Sequence, residues 1–310
     1  MLDAKVETFL CVCRCMNFTK AAELLHITQP AVSVQMRQLE EEYQVKLFHY
    51  EGRQLSLTKE GEILYQAMMT MKHDEGYLKE HLKENGGHMR KMKMGATKTV
   101  GDFVLPHVMG NFLKKNPDVS LKVKVANTGE LLKDLDECEL DFALVEGYFD
   151  KSRYTYRNFS KERFVAVSAE GQWAERKTVE LEEVFLQPLF IREPGSGTRE
   201  ILERELAGRN YSIKDFRQVH EVSNIHLIRR MVLENCGISF LYETAVKEEL
   251  RKKQLYEIPV NHMENEHQFT FVWRKKSIFE EEYLKIMTEL KELWEMVERI
   301  AETESCVRNR

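Results

Sequence analysis

The sequence predicts an α/β protein carrying a small helical head. Three changes of texture along its 310 residues predict it. Residues 1–58 hold short helical patterns and then an alternating, strand-like tail. Residues 59–87 read as one long helix closed by a breaker cluster. From Met92 onward apolar strands alternate with amphipathic stretches, the signature of a sheet with crossover helices.

The head comes first. Val6, Phe9, Leu10 and Cys13 recur at helical spacing. Thr19 suits the N-cap of a helix over Lys20–Leu25, because its hydroxyl can satisfy an orphan backbone N–H. Thr28 caps the next helix, about Gln29–Tyr43, where Pro30 fits the first turn. On that helix Val32, Met36 and Leu39 should face inward, while Gln29, Ser33 and Arg37 make a polar edge. Short helices followed by one with a polar, base-compatible edge make a helix-turn-helix. Lys46-Leu47-Phe48 and Leu55-Ser56-Leu57-Thr58, hinged at Glu51-Gly52-Arg53, look like a β-hairpin wing.

The long helix follows and stops at Asn85-Gly86-Gly87. Leu64, Met68, Met71, Glu75, Leu78 and Leu82 alternate steps of four and three, a heptad seam interrupted by one acid. Such a helix needs an apolar partner surface. A second copy of the chain supplies one, and packing on the chain's own C-terminal part is the alternative.

Beyond it, Lys91-Met92-Lys93-Met94 alternates as a strand and leads through Gly95–Gly101 into a helix ending near Asn116-Pro117. Val119–Val125 alternates again, Asn127-Thr128-Gly129 opens a helix, and Phe142–Val145 is an apolar strand. That β-α-β-α-β order implies a parallel sheet. A second series runs Phe164–Val167, Pro188–Ile191, helix Thr198–Leu206, Gln218–Glu221, helix Asn224–Glu234 and Gly237–Leu241. Phe269–Trp273 and a final helix bearing Phe279, Tyr283, Ile286, Leu290, Trp294 and Val297 close the chain.

Composition narrows the function. Hydrophobic residues at 43% and charged ones at 31% describe a globular protein, and six prolines among 310 residues exclude low-complexity classes. No apolar run approaches the roughly 20 residues of a membrane span. The start is acidic early and lacks a signal peptide's basic-then-apolar order, so the expected location is the cytoplasm. Six cysteines without framework spacing agree with a reducing compartment. In the Cys11-Val12-Cys13-Arg14-Cys15 cluster a helix points Cys13 away from Cys11 and Cys15, which favours structural thiols over a metal site. No cofactor is expected: the phosphate-loop lysine motif is missing, and the histidines His107, His220, His226, His262 and His267 lack catalytic or metal spacing.

The run Asn17-Phe18-Thr19-Lys20-Ala21-Ala22-Glu23-Leu24-Leu25-His26-Ile27-Thr28-Gln29-Pro30-Ala31-Val32-Ser33 resembles the DNA-binding signature of LysR-type transcriptional regulators. Leu39-Glu40, Val45-Lys46-Leu47-Phe48, Gly52-Arg53 and Leu57-Thr58-Lys59-Glu60-Gly61 continue it in register. The resemblance covers nearly the whole chain. It implies a winged helix-turn-helix over 1–58 and a dimerising linker helix over 59–87. A two-lobed, periplasmic-binding-protein-like effector domain follows, lobe I at 88–161 and 267–303 and lobe II at 162–266, with crossovers near residues 161 and 266. The implied protein is not an enzyme but an effector-responsive regulator. Its expected partners are double-stranded DNA, a small anionic effector, further copies in a homodimer or homotetramer, and RNA polymerase.

Residues 1–60 carry seven Lys or Arg against eight Asp or Glu, so charge alone does not suggest DNA. The conflict eases if Glu40, Glu41 and Glu42 cluster at the far end of the reading helix. Gln29 is the leading base reader, since its amide can pair with adenine in the major groove; Ser33 is small enough for close approach, Pro30 and Ala31 suit a thymine methyl, and Thr28 is counted with them among the DNA-binding residues. Thr19, Lys20, Arg37 and Arg53 suit phosphates or the minor groove. Val34 stands where many relatives carry Arg, and His49-Tyr50 where many carry Glu-Arg.

In open α/β sheets ligands bind at the carboxyl ends of strands. Thr97 and Thr99, Thr128, and Ser196-Gly197-Thr198 within Glu193–Thr198 mark three such places, and Asn224 heads a further helix. Hydroxyls beside free amides suit a carboxylate, sulfate or phosphate group. An enzyme using the same cleft, or a solute sensor with a decayed reading head, are the competing classes. DNA mobility shift separates them from a regulator.

Overall fold

The computed structural model describes residues 3–52, 54–84 and 90–308 and divides into two compact units. The first comprises residues 1–88 with the short segments Asp136–Cys138 and Lys276–Phe279.

In this unit α1 (Ala4–Cys15) starts at Asp3, whose carboxylate accepts from the Lys5 amide. Helix α2 spans Phe18–Leu25 and is capped by Asn17, which accepts from the Lys20 amide at 2.9 Å. Asn17 therefore replaces the expected cap at Thr19: the helix starts two residues earlier, and an amide carbonyl competes well for the orphan N–H. Helix α3 (Gln29–Tyr43) is capped by Thr28 as expected, its hydroxyl accepting from the Ala31 amide. Strands β1 (Phe48–Glu51) and β2 (Gln54–Leu57) pair antiparallel as the hairpin. Val32, Met36 and Leu39 of α3 bury against Phe9, Leu10 and Val12 of α1, and Phe48 meets Phe9 and Phe18 edge-on. Cys13 is buried in this core, which pushes its thiol well up, so it behaves as a small hydrophobe.

Helix α4 (Lys59–Glu84) follows at once. The Thr58 hydroxyl donates to the Lys46 carbonyl at 2.6 Å and accepts from the Gly61 amide, tying the helix start to the wing. A Cβ at Gly61 would sit 2.2 Å from the Leu47 carbonyl oxygen, so only glycine fits there.

The heptad seam divides along its length. Leu64 and Met68 are buried in the head's core instead of facing a partner. Further along, Asp74 and Tyr77 are covered by the 276–279 segment. Ser277 donates to Asp74 at 2.6 Å, the Ile278 amide donates to its other oxygen, and Phe279 packs on Tyr77. What stays exposed is Ile63, Met71 (56%), Leu78 and Leu82 (60%). The α4 helix thus has a head-facing side, a side covered by its own chain, and an outer apolar stripe.

The second unit begins with β3 (Arg90–Thr97), α5 (Lys98–Phe103) and α6 (Leu105–Lys115), two helices where one was expected, because Pro106 starts the second. Then come β4 (Val119–Ala126), α7 (Thr128–Asp136) and β5 (Phe142–Val145). Strand β3 lies between β4 and β5, parallel to both.

Strand β6 runs over Tyr154–Ser168, much longer than the expected Phe164–Val167. Short helix α8 (Leu181–Val184) precedes β7 (Pro188–Ile191), α9 (Gly197–Ala207), β8 (Gln218–Glu221), α10 (Ile225–Leu233) and β9 (Ile238–Tyr242). Strand β7 is parallel to both β8 and β9. Helix α11 (Glu243–Arg251) and β10 (Tyr256–Ile258) follow, then β11 (Glu266–Arg274) and α12 (Glu280–Arg308).

The strands line up as β4-β3-β5-β11-β6-β9-β7-β8, with β10 on β6. Two lobes share this array. The first half of β6 pairs with β11, which flanks β5, and its second half pairs with β9 and β10. The crossings expected near residues 161 and 266 are made by long strands, not loops. Helix α12 returns to the first lobe, where Asn116 donates to Glu289.

Candidate DNA-reading helix and interlobe cleft

On α3, Gln29 and Pro30 are exposed at the helix start and Ser33 is half-buried one turn on. Gln29 Nε2 donates to Ser33 Oγ at 2.9 Å, which pre-orders the amide along the polar edge. Arg37 is exposed on the same edge, and Lys20 and Thr19 lie exposed on the first turn of α2. The Thr28 hydroxyl is occupied as a cap. Arg53 lies outside the described residues. Val34, half exposed, lies one helical turn beyond Pro30 and adds an apolar surface suited to a thymine methyl.

The acids that made this head electrically unpromising are tied down. Glu40 accepts from Lys46 Nζ at 2.6 Å and from the Leu47 amide at 2.9 Å, anchoring the start of the wing. Glu42 accepts from Lys5 Nζ at 2.6 Å. Both belong to the C-terminal third of α3, away from Gln29, so the N-terminal edge keeps its cations. Among the described residues no ion pair engages Lys20 or Arg37.

The second unit holds the other site, where strand ends converge. Thr97 ends β3, Glu146 follows β5, Arg192 follows β7 and Tyr242 ends β9. Each is buried, Glu146 and Arg192 to 1% exposure. The Thr198 hydroxyl donates to Glu146 Oε1 at 3.0 Å, and the Thr128 hydroxyl donates to the Glu146 carbonyl at 2.8 Å. Arg192 forks onto Glu193 through Nε and Nη2, at 2.8 and 3.0 Å. Lys98, from the first lobe, reaches Glu193 at 3.4 Å and the Ser223 carbonyl at 2.8 Å, both in the second lobe.

Five polar atoms in this cluster are buried and unpartnered: Thr97 Oγ1, Ser196 Oγ, Glu146 Oε2, Arg192 Nη1 and the Tyr242 hydroxyl. A buried polar atom without a partner costs about 1–3 kcal/mol, so five at one place mark a site built for something polar. Backbones meet here as well. A Cβ at Gly197 would fall 2.3 Å from the Glu146 carbonyl oxygen, and one at Gly147 2.5 Å from Gly197 Cα. Burial pushes the Glu146 carboxyl up, although the Thr99 hydroxyl, Arg192 and Thr198 favour its charge. Burial also works against the charge on Glu193, but the Arg192 fork and Lys98 overcome it and hold that carboxyl below its ordinary value.

The structure brings together Thr99, Thr128, Gly197 and Thr198 around Glu146, with Thr97 and Ser196 adjoining. Asn224 is exposed and occupied in capping α10, its Oδ1 accepting from the Leu227 amide, so it stands outside the buried group. Glu146, Arg192 and Lys98 escaped the sequence reading. A charged residue immediately after an apolar strand, as in Val145-Glu146 and Ile191-Arg192, was the available signal. Among the described residues no group of three or more metal-ligating side chains is placed to hold an ion.

Two family descriptions match the chain. "Bacterial regulatory helix-turn-helix protein, lysR family" covers residues 4–62, and "LysR substrate binding domain" covers residues 85–294. The chain is 26% identical over 269 residues to the HTH-type transcriptional regulator CysL of Bacillus subtilis, spanning 86% of this chain and 89% of that protein. Its fold is similar to that of a Corynebacterium glutamicum OxyR C206 mutant, with a TM-score of 0.62 at 20% identity, covering 97% of this chain and 94% of that one. It is also similar to the Synechocystis CcmR regulatory domain in complex with 2-PG, with a TM-score of 0.57 at 17% identity over 65% of this chain and 97% of that one.

Proposed function

The chain belongs to the LysR family of transcriptional regulators, with a helix-turn-helix DNA-binding domain and an effector-binding α/β domain, and we propose that a small anion held in its interlobe cleft controls sequence-specific DNA binding. LysR regulators bind DNA and small effectors and oligomerise; they are not enzymes. In this chain Gln29 reads bases with Ser33, Pro30 and Val34 close to the groove, while Thr19, Lys20, Arg37 and Arg53 hold phosphates. The outer stripe of α4 pairs two copies, making a homodimer or, through further contacts, a homotetramer able to present two reading heads and to meet RNA polymerase. Residues 1–58, 59–87, 88–161 with 267–303, and 162–266 are then head, linker and two lobes.

The observation that carries the effector half is the set of five buried, unpartnered polar atoms at the strand ends. The CcmR regulatory domain was solved with 2-PG, which supports a small-molecule site in this fold. Ligand binding there shifts the lobes, and differential affinity for the two arrangements changes the spacing of the heads. Among the described residues no helix is long and apolar enough to cross a membrane, and we assign the protein to the cytoplasm.

The test is a mobility shift on the intergenic DNA beside the gene, run with and without inorganic phosphate, sulfate and small carboxylates. A shift that outlasts random competitor and changes with one of these anions is expected. A probe left unshifted under all conditions overturns the reading.

A further inference from the structure

This inference rests on the cleft reading above and names the kind of anion. Glu146 stands fully buried with Oε2 unpartnered. Facing it are Arg192 and Glu193 from the β7–α9 loop, Thr99 from α5, Thr198 from α9 and the Tyr242 hydroxyl at the end of β9, with Lys98 of α5 bound to Glu193. Burial keeps Tyr242 in its neutral form. Arg192, Lys98 and Glu193 together carry one net positive charge. An ionised Glu146 already cancels that charge. An anion with no proton of its own, entering the same space, would set a lone pair against the unpartnered Oε2, two buried acceptors with no hydrogen between them.

One proton resolves the conflict. Carried by the ligand and donated to the ionised Glu146 Oε2, it turns two repelling acceptors into an O–H···O⁻ hydrogen bond. The remaining unpartnered atoms are donors: Arg192 Nη1 and the hydroxyls of Thr97, Ser196 and Tyr242. The main-chain contact of Gly147 with Gly197 closes the seam tightly, which favours a small ligand.

We propose that the cleft selects a small oxyanion that keeps a proton on one oxygen, the hydrogen phosphate class, and rejects a fully ionised oxyanion of the same shape such as sulfate. Glu146 is the specificity-determining residue, accepting from the ligand hydroxyl. Arg192, Thr97 and Ser196 hold the other oxygens. A site built to pair with a hydroxyl rejects an analogue lacking it because a buried group is then left unpaired.

The experiment is calorimetric titration of the full-length chain with inorganic phosphate and with sulfate at pH 7 and constant ionic strength. Phosphate is expected to bind at least ~100-fold more tightly. Glu146→Gln, whose amide donates to sulfate, should bring the two anions within about tenfold by gaining sulfate affinity. Ser196→Ala should weaken phosphate by about tenfold, placing the anion in the cleft. Sulfate binding as tightly as phosphate to the wild type overturns the proton requirement and leaves a plain anion site standing. Phosphate selectivity untouched by both variants puts the anion elsewhere and overturns the assignment. Binding of neither anion removes the anionic-cleft reading and this proposal with it. Should Glu146→Gln not fold, the wild-type ratio decides alone.

Discussion

Thr198 donates its hydroxyl to Glu146 at 3.0 Å, joining the first turn of α9 in one lobe to the end of β5 in the other. The carboxylate it serves is buried and its pKa is raised, so the charged form is the costly one. Its contribution to stability is therefore fully present below the ordinary carboxylate range and is lost as pH rises through the raised value. Glu146→Gln removes that loss. Its melting temperature should exceed the wild type's by about 2–4 °C at pH 8, with the gap closing toward pH 5. Thermal melts at the two pH values check it, and a gap that widens at low pH contradicts the burial argument.

Gln29→Ala is expected to cost about 1–3 kcal/mol of operator affinity while leaving random DNA and the salt slope nearly unchanged. Arg37→Ala should do the reverse, weakening both DNAs alike. Anisotropy titrations over a salt series separate the two. Equal loss on both DNAs for Gln29→Ala would mean the residue does not read bases.

Gly61→Ala should be among the most damaging single changes in the head. Its methyl would lie 2.2 Å from the Leu47 carbonyl, a backbone atom that cannot step aside without moving the wing. A loss of more than about 3 kcal/mol in urea unfolding is expected. Gly76, on the same helix with open space at its Cβ position, provides the control: Gly76→Ala should be neutral or stabilising.

Asp74→Ala should cost about 2 kcal/mol by stranding the Ser277 hydroxyl and the Ile278 amide. Burial opposes the Asp74 charge, but His73, Ser277 and the Ile278 amide outweigh it and hold the carboxyl below its ordinary value. That stability is present above the ordinary aspartate pKa and lost as pH falls through the depressed one. The variant should match the wild type's stability only in strong acid, as read by urea unfolding across pH.

Met71→Glu with Leu82→Glu places two like charges on the outer stripe of α4, where the native side chains are 56% and 60% exposed. Sedimentation is expected to show dissociation at micromolar concentration, with operator affinity falling as the paired heads separate. An unchanged oligomer would locate the pairing surface elsewhere.

The head was readable because its determinants are local. Thr28 and Pro30 announce the start of α3, and Val32, Met36 and Leu39 announce its buried side. The α4 seam was readable only as a period. Nothing in the spacing says that Leu64 and Met68 serve the head while Met71 and Leu82 do not, since that depends on which segments return from far along the chain. Strand β6 was half seen for a related reason: Tyr154–Asn158 lies partly exposed and polar, and it is a strand because β11 pairs with it. In the cleft the hydroxyl residues stood out through turn chemistry. Glu146 and Arg192 did not, because a buried charge has no periodic signature and its partners lie 52 positions away in Thr198 and next door in Glu193.

Strand β6 and its neighbour β11 pair with each other from Tyr154 to Arg163 as they pass between the lobes. Among the described residues, Ser160–Arg163 of β6 and Glu266–Phe269 of β11 have only each other as ladder partners, since β5 takes Thr270–Trp273 and β9 takes Phe164–Val167. The lobes are thus joined by a narrow two-stranded neck, which ends at the irregularity at Phe269–Thr270. A proline introduced at Lys161, in the neck, would alter the stiffness of the signal without touching either the ligand or the DNA.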